Sequence, residues 1–187
     1  MTNLGCGKWT NQDFDYGSVV YSTVAVAWLQ EINLMQARLE AQKVSPAGYQ
    51  AMMGLENFIR KQSKLEPALV QLVKMRASQI NGCAYCIDMH SKEARAEGET
   101  EQRLYALSAW QETPFFTDRE RAALALTEAL TLVREDRVPD AVYEKARMSF
   151  SDEELVNLAL AIITINGWNR LAITFRFVPG EYDPRRK

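Results

Sequence analysis

The sequence is poor in the side chains that do most protein chemistry: its 187 residues include only 3 cysteines and one histidine. Three cysteines are too few, and too clustered, for a disulfide-stapled scaffold. An excess of one charge sign is missing as well. Lys and Arg number 22 against 24 Asp and Glu, a formal net charge of −2, which gives no electrostatic footing for nucleic acid or an anionic membrane. No apolar run approaches the ~18 residues of a membrane span, so neither a nucleic-acid nor a membrane partner is expected. Nor does any stretch show sustained two-residue alternation between hairpin turns, which removes the case for β-sheet. What remains is 47% hydrophobic and 25% charged, with 9 Gly and 6 Pro, the composition of one domain with a sizeable core.

Residues 1–34 read differently from the rest. Met1 to Gly17 is rich in Gly, Asn and aromatic residues, and Val19 to Trp28 is a β-branched apolar run. Ala25-Val26-Ala27 mimics a small-residue cleavage site. However, Asp13 and Asp15 precede the apolar run with only one lysine, the wrong charge for a secretory leader. The segment is therefore expected to be a poorly ordered extension or an upstream-start artefact, partly helical from about Val19, ahead of a helical domain over 35–187. Cys6 reads as a bystander thiol. The expected compartment is the reducing cytoplasm, where a close cysteine pair is catalytic or metal-binding rather than structural.

From Met35 the pattern is helical. Ser45-Pro46 places an N-cap before Pro at the first helical position, and Tyr49, Met52, Met53, Leu55, Phe58 and Ile59 follow at near-3.6 spacing. A second helix starts near Pro67 with Leu69, Leu72, Val73, Met75 and Ile80 as its inner face. A third runs from about Cys83 to Glu97, stopped by Gly98. Thr100 caps a fourth through Leu104, Leu107 and Trp110, up to Pro114. Capping boxes at Thr117 to Glu120 and Ser151 to Glu154 open two more, with a short helix from Pro139-Asp140 between them. The expected fold class is all-α, a single-domain bundle of about seven or eight helices. One short motif echoes: Ile80-Asn81-Gly82-Cys83 recurs as Ile165-Asn166-Gly167-Trp168, with Trp168 in the place of Cys83.

The chemistry concentrates between Ser78 and His90, which spans Cys83, Cys86 and the single histidine, with Asn81-Gly82 as a turn signal ahead of them. On a helix from about Cys83, the residues Cys83, Cys86 and His90 fall at i, i+3 and i+7 on one face. A thiol attacks as thiolate, so whatever lowers its pKa decides its role. His90, one turn after Cys86, can take the Cys86 proton, which makes Cys86 the activated thiol and Cys83 the resolving one. The dipole at the helix N-terminus favours Cys83 instead, so the two signals oppose each other. In the resulting cycle Cys86 cleaves a peroxide O–O bond and becomes a sulfenic acid. It then condenses with Cys83 to a disulfide that an external dithiol reduces. A zinc site would need four ligands, and the chain has no second cysteine pair. Haem attachment would need a histidine directly after Cys86, where Ile87 stands. A pair of inert, buried thiols stays open. No bound metal or cofactor is expected.

Gln79 to Ala94, with its Cys-x-x-Cys-x-x-x-His core, resembles the alkylhydroperoxidase AhpD-like proteins of the carboxymuconolactone decarboxylase family. The resemblance continues through Phe115-Phe116-Thr117 and Glu120 to Leu124, and on to Asn166-Gly167-Trp168-Asn169-Arg170. It implies an AhpD-like helical fold assembled into trimers or hexamers, and a thiol peroxidase or disulfide reductase in antioxidant defence. It also implies Cys86 as peroxidatic, Cys83 as resolving, His90 in a proton relay, and a dithiol reductant partner such as protein-bound dihydrolipoamide. One departure is specific. The family's relay glutamate, twelve residues before the first cysteine, is replaced by Gln71, which can orient His90 or a water but cannot act as a base. Glu66, Glu120 and Glu128 are candidate substitutes. Glu128 is favoured, because a carboxylate inside an apolar run must be paired or functional. The decarboxylase branch of the family generally lacks the thiol pair and is the alternative enzyme; a redox sensor is the non-enzymatic alternative.

Overall fold

A computed structural model describes residues 36–186, and everything structural below concerns those residues. The expected boundary at 34/35, the partial helix from Val19, and Cys6 all lie outside them. Seven helices longer than a single turn follow one another: α1 (Pro46–Gln62), α2 (Pro67–Asn81), α3 (Ala84–Ala96), α4 (Glu101–Ala106), α5 (Asp118–Thr131), α6 (Asp140–Ser149) and α7 (Asp152–Phe175). Single turns at Ala41–Val44 and Val133–Asp136, a 3-10 continuation of α4 over Leu107–Glu112, and a 3-10 turn at Pro184–Arg186 complete the helical segments of the described residues. No strand occurs among the described residues. The all-helical expectation holds.

The helix starts follow local chemistry. Pro46 and Pro67 stand at the first helical positions, where the missing N–H costs nothing. Both capping boxes form: Thr117 with Glu120 opens α5, and Ser151 with Glu154 opens α7, each side chain bonding the other's backbone N–H. Thr100 accepts from the Arg103 N–H at the start of α4. Ser45 takes the N-cap position of α1 without a side-chain hydrogen bond, so Pro46 is the stronger start signal there.

The centre of the bundle is α2, which packs against α3, α5 and α7. Being surrounded, it buries residues all around its circumference, from Leu69 and Val70 to Leu72 and Val73. Ile80, expected on its inner face, is only half-buried because the helix end emerges at the turn. One core cluster joins α2 to α5, α6 and α7 through Val73, Ala123, Leu126, Phe150, Leu158 and Ile162. A second joins it to α3 and α4 through Leu72, Met75, Ala94, Leu107 and Trp110. A third is small and holds both thiols: Ala77, Cys83, Cys86, Ile165 and Ala172.

Helix α7 is long and apolar enough, by length and composition, to cross a membrane. Here the apolar residues of its inner face belong to the bundle's own core: Leu155, Leu158, Ala161, Ile162, Ile165 and Ala172 are all buried. The buried polar groups between them bond within the protein. Asn157 donates to the Ser63 carbonyl at 3.0 Å, and Asn169 to Ser78 Oγ at 3.0 Å.

Candidate functional site: a thiol pair and a buried imidazole

The turn between α2 and α3 is what places the thiols. Gly82 closes α2 in a left-handed conformation, φ +67°, which a side chain would strain. The chain then reverses, the Cys83 N–H bonds the Ser78 carbonyl at 3.0 Å, and Cys83 becomes the N-cap of α3. Its Sγ accepts from the Cys86 N–H at 3.4 Å, the role an oxygen takes in an ordinary cap. Both cysteines are free thiols and almost fully buried.

The second copy of the Asn-Gly motif meets the first. Asn81 Nδ2 donates to Asn166 Oδ1 at 3.0 Å and to Asn169 Oδ1 at 2.8 Å, tying the thiol turn to the middle of α7. Gly167 lies helically within α7, where a Cβ would come within 2.9 Å of the Met52 methyl. Its bareness lets α1 close on α7 and brings Tyr49 edge-on to Trp168, with ring centroids 5.1 Å apart.

The two thiols are inequivalent. A hydrogen bond from the Cys86 thiol, together with the backbone N–H groups of Cys86 and Tyr85, lowers Cys83 from 9.0 to about 7, against the opposing cost of burial. Cys86, the donor of that bond and more deeply desolvated, is pushed up. The opposing signal foreseen at the helix N-terminus thus acts on Cys83, while Cys86 keeps the position beside the cavity. Cys83 occupies the cap itself, so the N–H groups of the first turn of α3 point at its sulfur. The Asn169 amide lowers both thiols, by less than the leading causes.

His90 lies one turn beyond Cys86 and is 3% exposed. Its Nδ1 is 3.0 Å from Gln71 Oε1 and 3.4 Å from Glu93 Oε2. The orientation of the Gln71 amide is set by its Nε2, which donates to Glu93 Oε2 at 3.2 Å and to Glu97 Oε1 at 3.3 Å. Oε1 can only accept, so Nδ1 carries the proton and Nε2 keeps a lone pair. Burial lowers the His90 pKa, only partly offset by Glu93, so the ring is neutral near pH 7. Behind it Lys74, 1% exposed, is paired with Glu56.

Cys86 and His90 open on a common cavity of about 310 Å³. Tyr49, Met53, Glu56 and Arg60 of α1 form one wall, and Tyr85, Met89 and Glu93 of α3 another. Trp168 and Ala172 of α7, with Phe177 and Tyr182 beyond it, complete the lining. Cys83 lies behind Cys86 and does not line the cavity. Tyr182 donates to Glu93 Oε1 at 2.5 Å, and burial raises its own pKa further than that carboxylate does.

Of the residues singled out from the sequence, Cys83, Cys86, His90 and Gln71 come together. Glu128 does not join them: it sits on α5 against Arg76 Nη2 at 2.8 Å and Trp110 Nε1 at 2.7 Å. It is the paired alternative, an acid in an apolar run satisfied by a cation from α2. Glu120 is bound in its capping box and to Arg103, and Glu66 pairs with Arg119. The carboxylate at the imidazole is Glu93, which was missed although its i+3 spacing from His90 was legible. Nothing local marked Tyr182 or Lys74, and Asn169 stood in the resembling run Asn166 to Arg170 without a role.

Comparison with known proteins follows the same lines. The carboxymuconolactone decarboxylase family model matches residues 46–129. The uncharacterized protein YdfG of Bacillus subtilis is 45% identical over 139 residues, 74% of this chain and 94% of that protein. A crystal structure from Agrobacterium tumefaciens, of unknown function and provisionally designated an antioxidant defence protein AhpD, aligns with a TM-score of 0.76. It is 44% identical and covers 79% of this chain and 100% of that one. An uncharacterized peroxidase-related protein from Ralstonia eutropha with an alkylhydroperoxidase AhpD core shares the fold, with a TM-score of 0.66 at 20% identity over 75% of each chain.

Proposed function

The chain belongs to the carboxymuconolactone decarboxylase family as an AhpD-like member, and from that premise we propose that it is a thiol-dependent peroxidase and disulfide reductase. The observation that carries this reading is the shared cavity. Cys86 and His90 open into it together, with the imidazole proton pinned on Nδ1 and Cys83 waiting behind as the more acidic thiol.

In this reading His90 Nε2 takes the Cys86 proton as the sulfur attacks the peroxide. The O–O bond breaks, Cys86 becomes a sulfenic acid, and the imidazolium returns the proton to the leaving alkoxide, releasing an alcohol. Glu93 stabilises the imidazolium, and Gln71, itself held by Glu93 and Glu97, fixes the ring through Nδ1. Cys83, at the N-cap of α3, attacks the sulfenic sulfur as its thiolate. The S–O bond breaks and water leaves with one added proton. A dithiol such as dihydrolipoamide on a partner protein then reduces the disulfide and is itself oxidised to one. We place this chemistry in the cytoplasm, in a homo-oligomer.

The test is peroxide turnover with a dithiol reductant. Cys86→Ser and His90→Ala should each reduce kcat at least 100-fold, on the order expected for loss of a nucleophile or its base. Unchanged turnover in both would defeat the reading. Stoichiometric disulfide formation without turnover would identify a sensor, and a lyase activity indifferent to Cys86→Ser would identify the decarboxylase branch.

A further inference from the structure

The cavity has a direction. Along α1 its lining residues Tyr49, Met53, Glu56 and Arg60 are spaced four, three and four apart, one stripe of the helix. At 1.5 Å per residue that stripe runs roughly 16 Å from Tyr49 to Arg60. Helix α3 lines the cavity from Tyr85 and Cys86 to His90 and Glu93. The electrostatic neighbours repeat that order: Tyr85 with Tyr49, His90 with Glu56, and Tyr182, which is bonded to Glu93, with Arg60. One end is therefore aromatic, where Trp168 stands against Tyr49 and Phe177 edge-on against Tyr85 at 5.4 Å. The other end is polar.

At the polar end the charges differ in their engagements. Glu56 is paired with the buried Lys74, and Glu93 accepts from Gln71 and Tyr182. Arg60 is exposed, lines the cavity, and makes no ion pair among the described residues. A guanidinium at the mouth of an apolar slot is suited to a carboxylate, which it can grip with two parallel hydrogen bonds. Cys86 stands seven residues before Glu93 on α3, roughly 10 Å along the axis from that polar end.

We propose that the cavity binds the hydroperoxide of an amphiphilic carboxylic acid. The carboxylate lies on Arg60 at the polar end, the peroxide on Cys86, which is roughly 10 Å along α3 from Glu93 at that end, and the remaining apolar chain against Tyr49 and Trp168. This rests on the peroxidase reading above and names its substrate class. The reaction is the one already balanced: the hydroperoxide oxygen passes to the Cys86 sulfur, and the acid leaves as its alcohol, a hydroxy acid. An unsaturated fatty acid with its hydroperoxide near the ninth carbon has the required separation.

The experiment compares linoleic acid 9-hydroperoxide with its methyl ester in the full-length protein, with dithiothreitol as reductant. The acid should show a KM about tenfold or more below the ester's, as expected for one charge-assisted hydrogen-bonded contact. Arg60→Met should remove that advantage by raising the KM for the acid at least about tenfold more than that for the ester, and Arg60→Lys should keep most of it. Equal KM values for acid and ester, or equal effects of Arg60→Met on both, would overturn the proposal while leaving the peroxidase intact. Calorimetric binding of the product hydroxy acid separates the two ideas. Arg60-dependent binding without turnover of either peroxide would sink the peroxidase reading and keep the site.

Discussion

At the scale of single residues, the two cysteines divide acidity from access. Cys83 has the lowered pKa but lies behind Cys86, whereas Cys86 faces the cavity with a raised one. Because the donor thiol of Cys86 is the main cause of the Cys83 shift, Cys86→Ala should move the Cys83 titration from about 7 back toward its ordinary 9.0. Ultraviolet thiolate absorbance across that pH range would register it. The sign for stability follows: a thiol whose folded pKa is depressed stabilises the fold fully above the unfolded value, and that contribution is lost as pH falls through about 7. The relay acid can be tested by moving it. Glu93→Gln should slow sulfenic acid formation about 10- to 100-fold, and adding Gln71→Glu should restore much of the rate by putting a carboxylate back against His90 Nδ1. Stopped-flow kinetics would measure both, and a double variant slower than the single one would exclude a relay role for that carboxylate.

Among the elements, the helix ends were the most legible, because caps are decided within four residues of chain. Thr117→Ala and Ser151→Ala each remove one side of a complete capping box. Each should lower unfolding free energy by about 1 kcal/mol in denaturant titrations, without altering turnover. The Cys-x-x-Cys helix was legible for the same reason, with Gly82 and Gly98 marking its flanks. What the local pattern did not reveal was that Asn166 and Asn169 of α7 would reach back to Asn81. That contact spans 85 and 88 positions of sequence, so no local period encodes it.

For the whole molecule, the burial of Lys74 beside Glu56 is the main electrostatic commitment of the fold. Lys74→Met would leave Glu56 without its cation in a half-buried setting and should cost about 3 kcal/mol, read as a lower denaturation midpoint at unchanged slope. Helix α7 also keeps Val156 and Ile163 exposed, one helical face that a neighbouring copy would cover in the proposed homo-oligomer. A chain begun at Met35 should unfold with the same cooperativity as the full chain. Failure to fold would show that the first 34 residues belong to the domain.

Sequence alone determined the helical class, the starts of the main helices, and the clustering of Cys83, Cys86 and His90, since each depends on spacing along a few turns. It also exposed the lack of an acid at position 71. Only the tertiary structure decided which carboxylate stands at the imidazole, which thiol faces the cavity, and that Arg60 lines it with them. Those answers depend on how α1, α2, α3 and the segment bearing Tyr182 converge on one cavity. Desolvation and hydrogen bonding at that convergence, rather than residue order, set the chemistry.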